Sequence, residues 1–168
     1  FKGVRVDTEK AKVVGAKLKK RSDNLIKLIK TRTGIKIDMW AAASIKKLLD
    51  KLEIKDYKET PKSKMPQLPK NYLKTHKNRF LRFIATAREC DKAQNAFVKG
   101  LLKFVHKGRI HADINQIRSD FGGTVTGRFS MSNPNLQQIP AKGLIGKKMR
   151  ELFLPEEGER WGAFDYSQ

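Results

Sequence analysis

From Asp7 onward, the apolar residues Ala11, Val14, Leu18, Leu25, Leu28 and Ile29 keep to one face of an α-helix. Asp7 offers an N-cap acceptor and Gly34 a stop, which predicts a helix of about 25 residues and about 38 Å. Lys10, Lys12, Lys17, Lys19, Lys20, Lys27 and Lys30 cover much of its remaining surface. Asp38 is expected to cap a second, shorter helix carrying Ile45, Leu48, Leu49 and Leu52. Residues 57–69 hold Pro61, Pro66 and Pro69 among lysines and read as an irregular basic connection. A second long helix is expected over 78–105, with Phe80, Ile84, Ala87, Phe97, Leu101 and Phe104 as its stripe. The two rods are expected to pack antiparallel.

The period then changes. Residues 109–115 alternate apolar and polar, the signature of a strand with one buried face. Residues 116–140 are mostly polar and without period, and so long a stretch inside a compact domain is usually functional. A short helix is expected near 146–152, and Trp161-Gly162-Ala163-Phe164 reads as a buried strand. No internal repeat is visible. The fold class is α+β, with a basic helical part over 1–107 and a strand- and turn-rich part over 108–168.

Composition sharpens this picture. The chain has 168 residues, 37 Lys or Arg against 17 Asp or Glu, and a formal net charge of +20. At 39% hydrophobic residues it is too apolar for a disordered polybasic tail. Charge is concentrated early: residues 1–84 hold 24 Lys or Arg against 8 Asp or Glu, residues 85–168 only 13 against 9. A polyanion is the expected partner, nucleic acid first. No apolar run approaches the ~20 residues of a membrane span, so no membrane partner and an intracellular location are expected. One cysteine, Cys90, excludes a disulfide framework, and it forms no metal-ligand spacing with His76, His106 or His111. The chain opens without Met and stops directly after an apolar run, so a fragment of a longer protein is expected.

The chemistry-bearing segment starts at Gly122-Gly123-Thr124-Val125-Thr126-Gly127-Arg128-Phe129-Ser130 and continues to Pro134-Asn135-Leu136-Gln137-Gln138-Ile139-Pro140. Arg, Asn and Gln are the side chains that donate to acceptors on base edges. The minor groove offers such acceptors at every base pair, so donors there can sense geometry without reading sequence. The same residues also fit an ordered loop whose amides satisfy its own backbone, and chemistry alone favours that reading. A phosphate-cradling P-loop does not fit, because no Gly-Lys-Ser/Thr follows the glycines.

Thr126-Gly127-Arg128, then Pro134-Asn135-Leu136-Gln137-Gln138-Ile139-Pro140, then Asp165-Tyr166-Ser167-Gln168 resembles family A DNA polymerase, the class of bacterial DNA polymerase I. The doubled glutamine and the Phe after Arg128 resemble the bacteriophage members. Gly108-Arg109-Ile110-His111 and Met149-Arg150-Glu151-Leu152-Phe153 extend the likeness, and more weakly it covers both long helices. The resemblance implies long antiparallel thumb helices over 1–107 and, over 108–168, the first antiparallel strands of a polymerase palm. It implies that Asp165 is the first catalytic carboxylate, ligating two Mg²⁺ ions, with the Tyr166 carbonyl as a further metal ligand. Arg128, after Thr126, would bind the minor-groove edge near the primer terminus. Asn135, Gln137 and Gln138 would lie near template and duplex, and Lys92 with Arg88 would face the DNA backbone. Primer–template DNA and deoxynucleotides are the implied partners, with a processivity factor as a further candidate, a monomeric enzyme, and the host cytoplasm as its location if phage-encoded. The family's fingers helix and second catalytic aspartate have no counterpart among these motifs. Two alternatives stand beside this reading: a single-subunit RNA polymerase relative, and a non-catalytic basic helical module that only binds duplex DNA.

Overall fold

The computed structural model describes residues 2–118, 123–140, 142–162 and 164. In chain order the regular elements are β1 (Val4–Val6), α1 (Thr8–Thr33), α2 (Ala42–Lys51), β2 (Lys58–Glu59), β3 (Pro66–Gln67), α3 (Lys70–Thr75) and α4 (Arg79–Lys92). A π-helical segment, Ala93–Lys99, then leads to α5 (Gly100–Leu102), β4 (Val105–His106), β5 (Arg109–Ile110), β6 (Asp113–Asn115), β7 (Ser130–Ser132), α6 (Gly143–Arg150) and β8 (Phe153–Leu154). They form two compact units, one of residues 16–94 and one of 1–15 with 95–168. The mixture of helices and antiparallel strands is the expected α+β class. β1, near the start of the chain, pairs with β5 on one side and β8 on the other, which joins residues 1–15 to the second half of the chain.

Asp7 caps α1 by accepting from the Lys10 N–H at 2.8 Å. Gly34, at φ +74°, ends it in the left-handed conformation that favours glycine. Buried positions along α1 are Ala11, Val14, Leu18, Ser22, Ile29 and Thr33. Ser22 occupies the stripe because its hydroxyl donates to the Ala87 carbonyl of α4 at 3.1 Å. Leu28, expected on that stripe, is exposed instead. Ser22 meets Ala87, while Ile29 shares a core with Leu81, Ile84 and Ala85, so α1 and α4 run antiparallel. Ile37, Ile45, Leu48, Leu49 and Leu73 complete this core of the 16–94 unit.

Two local expectations change. Asp38 does not cap α2, which starts at Ala42; its carboxylate accepts from the Trp40 N–H at 2.8 Å, two residues ahead, and so shapes the turn before the helix. Residues 57–69 are ordered as the β2–β3 hairpin, because the Thr60 hydroxyl pairs with Ser63 at 2.6 Å and accepts from the Met65 N–H at 3.1 Å.

In the other unit the four strands run in the order β4-β5-β1-β8, with Val4 opposite Ile110 and Val6 opposite Phe153. Val6, Leu101 and Ile110 form its core, with Val105, Leu136 and Phe153 packed against them. The expected strand over 109–115 divides: β5 joins this sheet, and β6 pairs separately with β7. Residues 161–164 are not a buried strand among the described residues. Trp161 is 63% exposed and Phe164 98%, since no described strand pairs there to give them a face to bury.

An ion pair ties β5 to the segment after β8. Arg109 donates from both terminal nitrogens to Glu156 at 2.7 and 2.8 Å, and Lys2 stands 3.6 Å away. The guanidinium fork holds the Glu156 carboxyl down at about 2, from an ordinary 4.5. The folded value lies below the unfolded one, so this stabilisation is complete above about pH 4.5 and disappears as pH falls through about 2. Glu156→Gln is expected to flatten the acid limb of thermal stability in that window and leave the neutral and alkaline sides with one uniform offset.

Candidate nucleic-acid interface

The Pro134–Pro140 segment is built around one apolar contact. Leu136 packs against Val6, Leu101 and Ile110, which anchors an otherwise polar loop to the sheet. Asn135 begins a short 3-10 turn over Leu136–Gln138, its side-chain oxygen accepting from the Gln137 N–H at 3.0 Å. With Leu136 turned inward, Asn135, Gln137 and Gln138 remain exposed.

The Thr126-Gly127-Arg128 segment leads into β7. Ser132 faces Asp113 and Ser130 faces Asn115 across the pair, and Asn115 donates to the Ser132 hydroxyl at 3.2 Å. Asn133 donates to the Asp113 carboxylate at 2.9 Å and closes the far end. Gly127 takes φ +69°, a conformation that a side chain would strain, immediately before Arg128. Arg128 is exposed and has no side-chain partner among the described residues. The Thr124 hydroxyl donates to the Arg128 carbonyl at 2.7 Å, and the Gln137 amide donates to the Phe129 carbonyl at 3.0 Å. The two motifs, separated in sequence, are thus joined by a hydrogen bond. Thr126, Arg128, Asn135, Gln137 and Gln138 all belong to the 1–15 and 95–168 unit.

Arg88 and Lys92 lie on α4, in the 16–94 unit. Lys92 is exposed in the last turn. Arg88 is half-buried: its Nε donates to the Met39 carbonyl at 2.7 Å and a terminal nitrogen to the Leu68 carbonyl at 3.2 Å. Its guanidinium also sits 5.3 Å from the centre of the Trp40 ring, and burial lowers its pKa from the usual value. Those contacts make Arg88 a brace between α4 and two loops, one turn before the exposed Lys92. The 16–94 unit carries 22 Lys or Arg against 8 Asp or Glu. On α1, Lys17, Lys20, Arg21 and Asn24 border an open groove floored by Leu25 and Leu28.

Asp165 and Tyr166, the expected metal ligands, lie outside the described residues. Among the described residues, no group of three or more His, Cys, Asp or Glu could hold a metal ion. Nor is any described helix long and apolar enough to cross a membrane. Sequence reasoning missed Thr124 and the anchoring role of Leu136. The available signal was a large apolar residue set among Asn135, Gln137 and Gln138, a pattern that a solvent-facing loop does not need.

Comparison with known proteins now places the chain. The DNA polymerase family A pattern matches residues 8–168, and the chain belongs to that family. It is 29% identical to the DNA-directed DNA polymerase of Pseudomonas phage M6, over 99% of this chain and 26% of that protein. It is 31% identical to DNA polymerase DpoZ of Salmonella phage PMBT28, over 99% of this chain and 29% of the relative. DNA polymerase I of Geobacillus stearothermophilus is 31% identical over all of this chain and 19% of its own length. The chain thus spans less than a third of the curated relatives it matches. Among solved structures, the POL domain of Pol1 from M. smegmatis, in complex with DNA primer-template and dNTP, superposes with a TM-score of 0.74. That match covers 93% of this chain and 27% of the other at 24% identity, and it shows a shared fold.

The brace at Arg88 can be tested by stability alone. Arg88→Met keeps the stem and removes two hydrogen bonds to backbone carbonyls, so a loss of about 1–3 kcal/mol in denaturant unfolding is expected. Arg88→Lys is expected to recover less than half of it, because an ammonium cannot span both carbonyls as a planar fork does.

Proposed function

We propose that this chain is the thumb and the beginning of the palm of a DNA-directed DNA polymerase of bacteriophage type. In this reading the lysine-rich 16–94 unit is the thumb and tracks duplex phosphates. Its neutralising contacts are independent of sequence, which suits an enzyme that must move along its template. The 1–15 and 95–168 unit contributes the palm edge, where Arg128, Asn135 and Gln138 meet minor-groove acceptors near the primer terminus. The observation that carries the reading is the exposed Arg128, without a side-chain partner among the described residues, presented beside the amide cluster by one hydrogen bond between the two motifs. An ordered loop satisfying only itself has no need to leave that cation free.

Divalent metal ions are the general cofactors of the family. In the proposal they are magnesium, and Asp165 with the Tyr166 carbonyl would hold them. Two such ions stabilise the attacking and leaving oxygens of phosphoryl transfer. Primer–template DNA and deoxynucleotides are the substrates, acted on inside the cell by a monomer, in the host cytoplasm where the gene is phage-borne. A processivity factor is a further partner in this reading.

Asp165→Asn in the full-length polymerase is the decisive test. A structural aspartate would tolerate the change at a cost of about 1 kcal/mol. A carboxylate holding hard cations would not, because an amide is a poor ligand for them. Near-complete loss of primer extension is expected, with primer–template binding and metal-free thermal stability retained. Extension at a tenth of the parental rate or more would overturn the assignment. In the same protein, Lys92→Ala is expected to reduce the slope of log affinity against log salt by about 1.

A further inference from the structure

Two glutamines stand side by side in the Pro134–Pro140 motif, and their surroundings differ. Gln138 is exposed, with no side-chain partner among the described residues, so its amide is open to a ligand. The Gln137 amide instead donates to the Phe129 carbonyl at 3.0 Å, across eight residues of chain. The Arg128 carbonyl is taken by the Thr124 hydroxyl at 2.7 Å. We infer that Gln137 and Thr124 are positioning residues that clamp the two consecutive carbonyls at Arg128 and Phe129, and that Gln137 acts through Arg128 rather than on a base.

The mechanics follow from how each end is held. Gln137 is fixed at its backbone, by the preceding Leu136 packed on the sheet and by the Asn135 cap on its own N–H. It is a rigid post. Arg128, by contrast, follows Gly127 at φ +69°, where the missing Cβ widens the accessible backbone conformations. A long side chain on such a backbone reaches many positions, and an ordering contact at each adjacent carbonyl narrows them. Displacements near 1 Å at a positioning group can cost about a hundredfold in rate, so the clamp sets how productively Arg128 engages the primer end.

The inference rests on the polymerase reading and is separable from it by a double-mutant cycle in the full-length polymerase. Gln137→Met keeps the length of the side chain and removes the donor. Single-turnover incorporation is expected to slow by about 3- to 30-fold in Gln137→Met and about 10- to 1000-fold in Arg128→Ala, with primer–template Kd within about twofold in the former. The double variant is expected to be no slower than Arg128→Ala alone, since the post has nothing left to position. Losses that multiply in the double variant would make Gln137 a separate DNA contact and overturn the inference while leaving the polymerase reading intact. Thr124→Val is expected to behave as Gln137→Met does, and Thr124→Ser to stay within about twofold of the parental rate. Equal slowing in Thr124→Ser and Thr124→Val would overturn the hydroxyl's part. An Arg128→Ala enzyme with the parental rate would overturn the role given to Arg128, and the clamp with it.

Discussion

Leu136 is a half-buried leucine in a run of polar residues, and the geometry of the candidate interface depends on where it goes. Its packing against Val6, Leu101 and Ile110 removes apolar surface from water, an effect of up to about 1.5–3 kcal/mol for a fully buried leucine. That is enough to choose one conformation for a short loop over the many it would otherwise sample. Once Leu136 points inward, its neighbours Asn135, Gln137 and Gln138 must point elsewhere. The Asn135 cap and the bond from Gln137 to Phe129 then transmit that choice to the Arg128 backbone. A hydrophobic contact thereby arranges polar chemistry it does not touch.

The 16–94 unit solves a different problem. Its excess of cations repels itself, and the stabilisation must come from an apolar core and from bonds that do not depend on charge balance. Ile29, Ile45, Leu48, Leu49, Leu73, Leu81 and Ile84 supply the core. The small side chain of Ser22 lets α1 approach α4 and satisfies its own hydroxyl on the Ala87 carbonyl. Arg88 adds to that stabilisation by donating to the Met39 and Leu68 carbonyls. Glu89 also tempers the local charge, accepting Lys70 at 3.0 Å and Lys74 at 2.7 Å. Lys17, Lys20, Lys27 and Lys30 on α1 and Lys92 on α4 form no ion pair among the described residues.

What the sequence by itself determined about this chain was what local rules govern: the capped helix from Asp7 to Gly34, the α+β class, and family membership through short motifs whose order and spacing survive without coordinates. Of the stripe expected over 78–105, Ile84, Ala87 and Leu101 are buried while Phe104 is exposed, and Leu81, Ala85 and Cys90 share the buried face of α4. Tertiary structure decided the rest, because it turns on which distant groups meet. Whether Arg88 faces a phosphate or the Met39 and Leu68 carbonyls is invisible to periodicity, since both outcomes use the same residue at the same helical position. The pairing of β1 between β5 and β8 joins residues over a hundred positions apart, and no pattern over residues 4–6 encodes it. Ser22 lies on the buried face of α1, and only a carbonyl on another helix accounts for its hydroxyl. The doubled glutamine looked uniform as a motif; only the fold, by bringing the Phe129 carbonyl within 3.0 Å of one amide, made the two residues different.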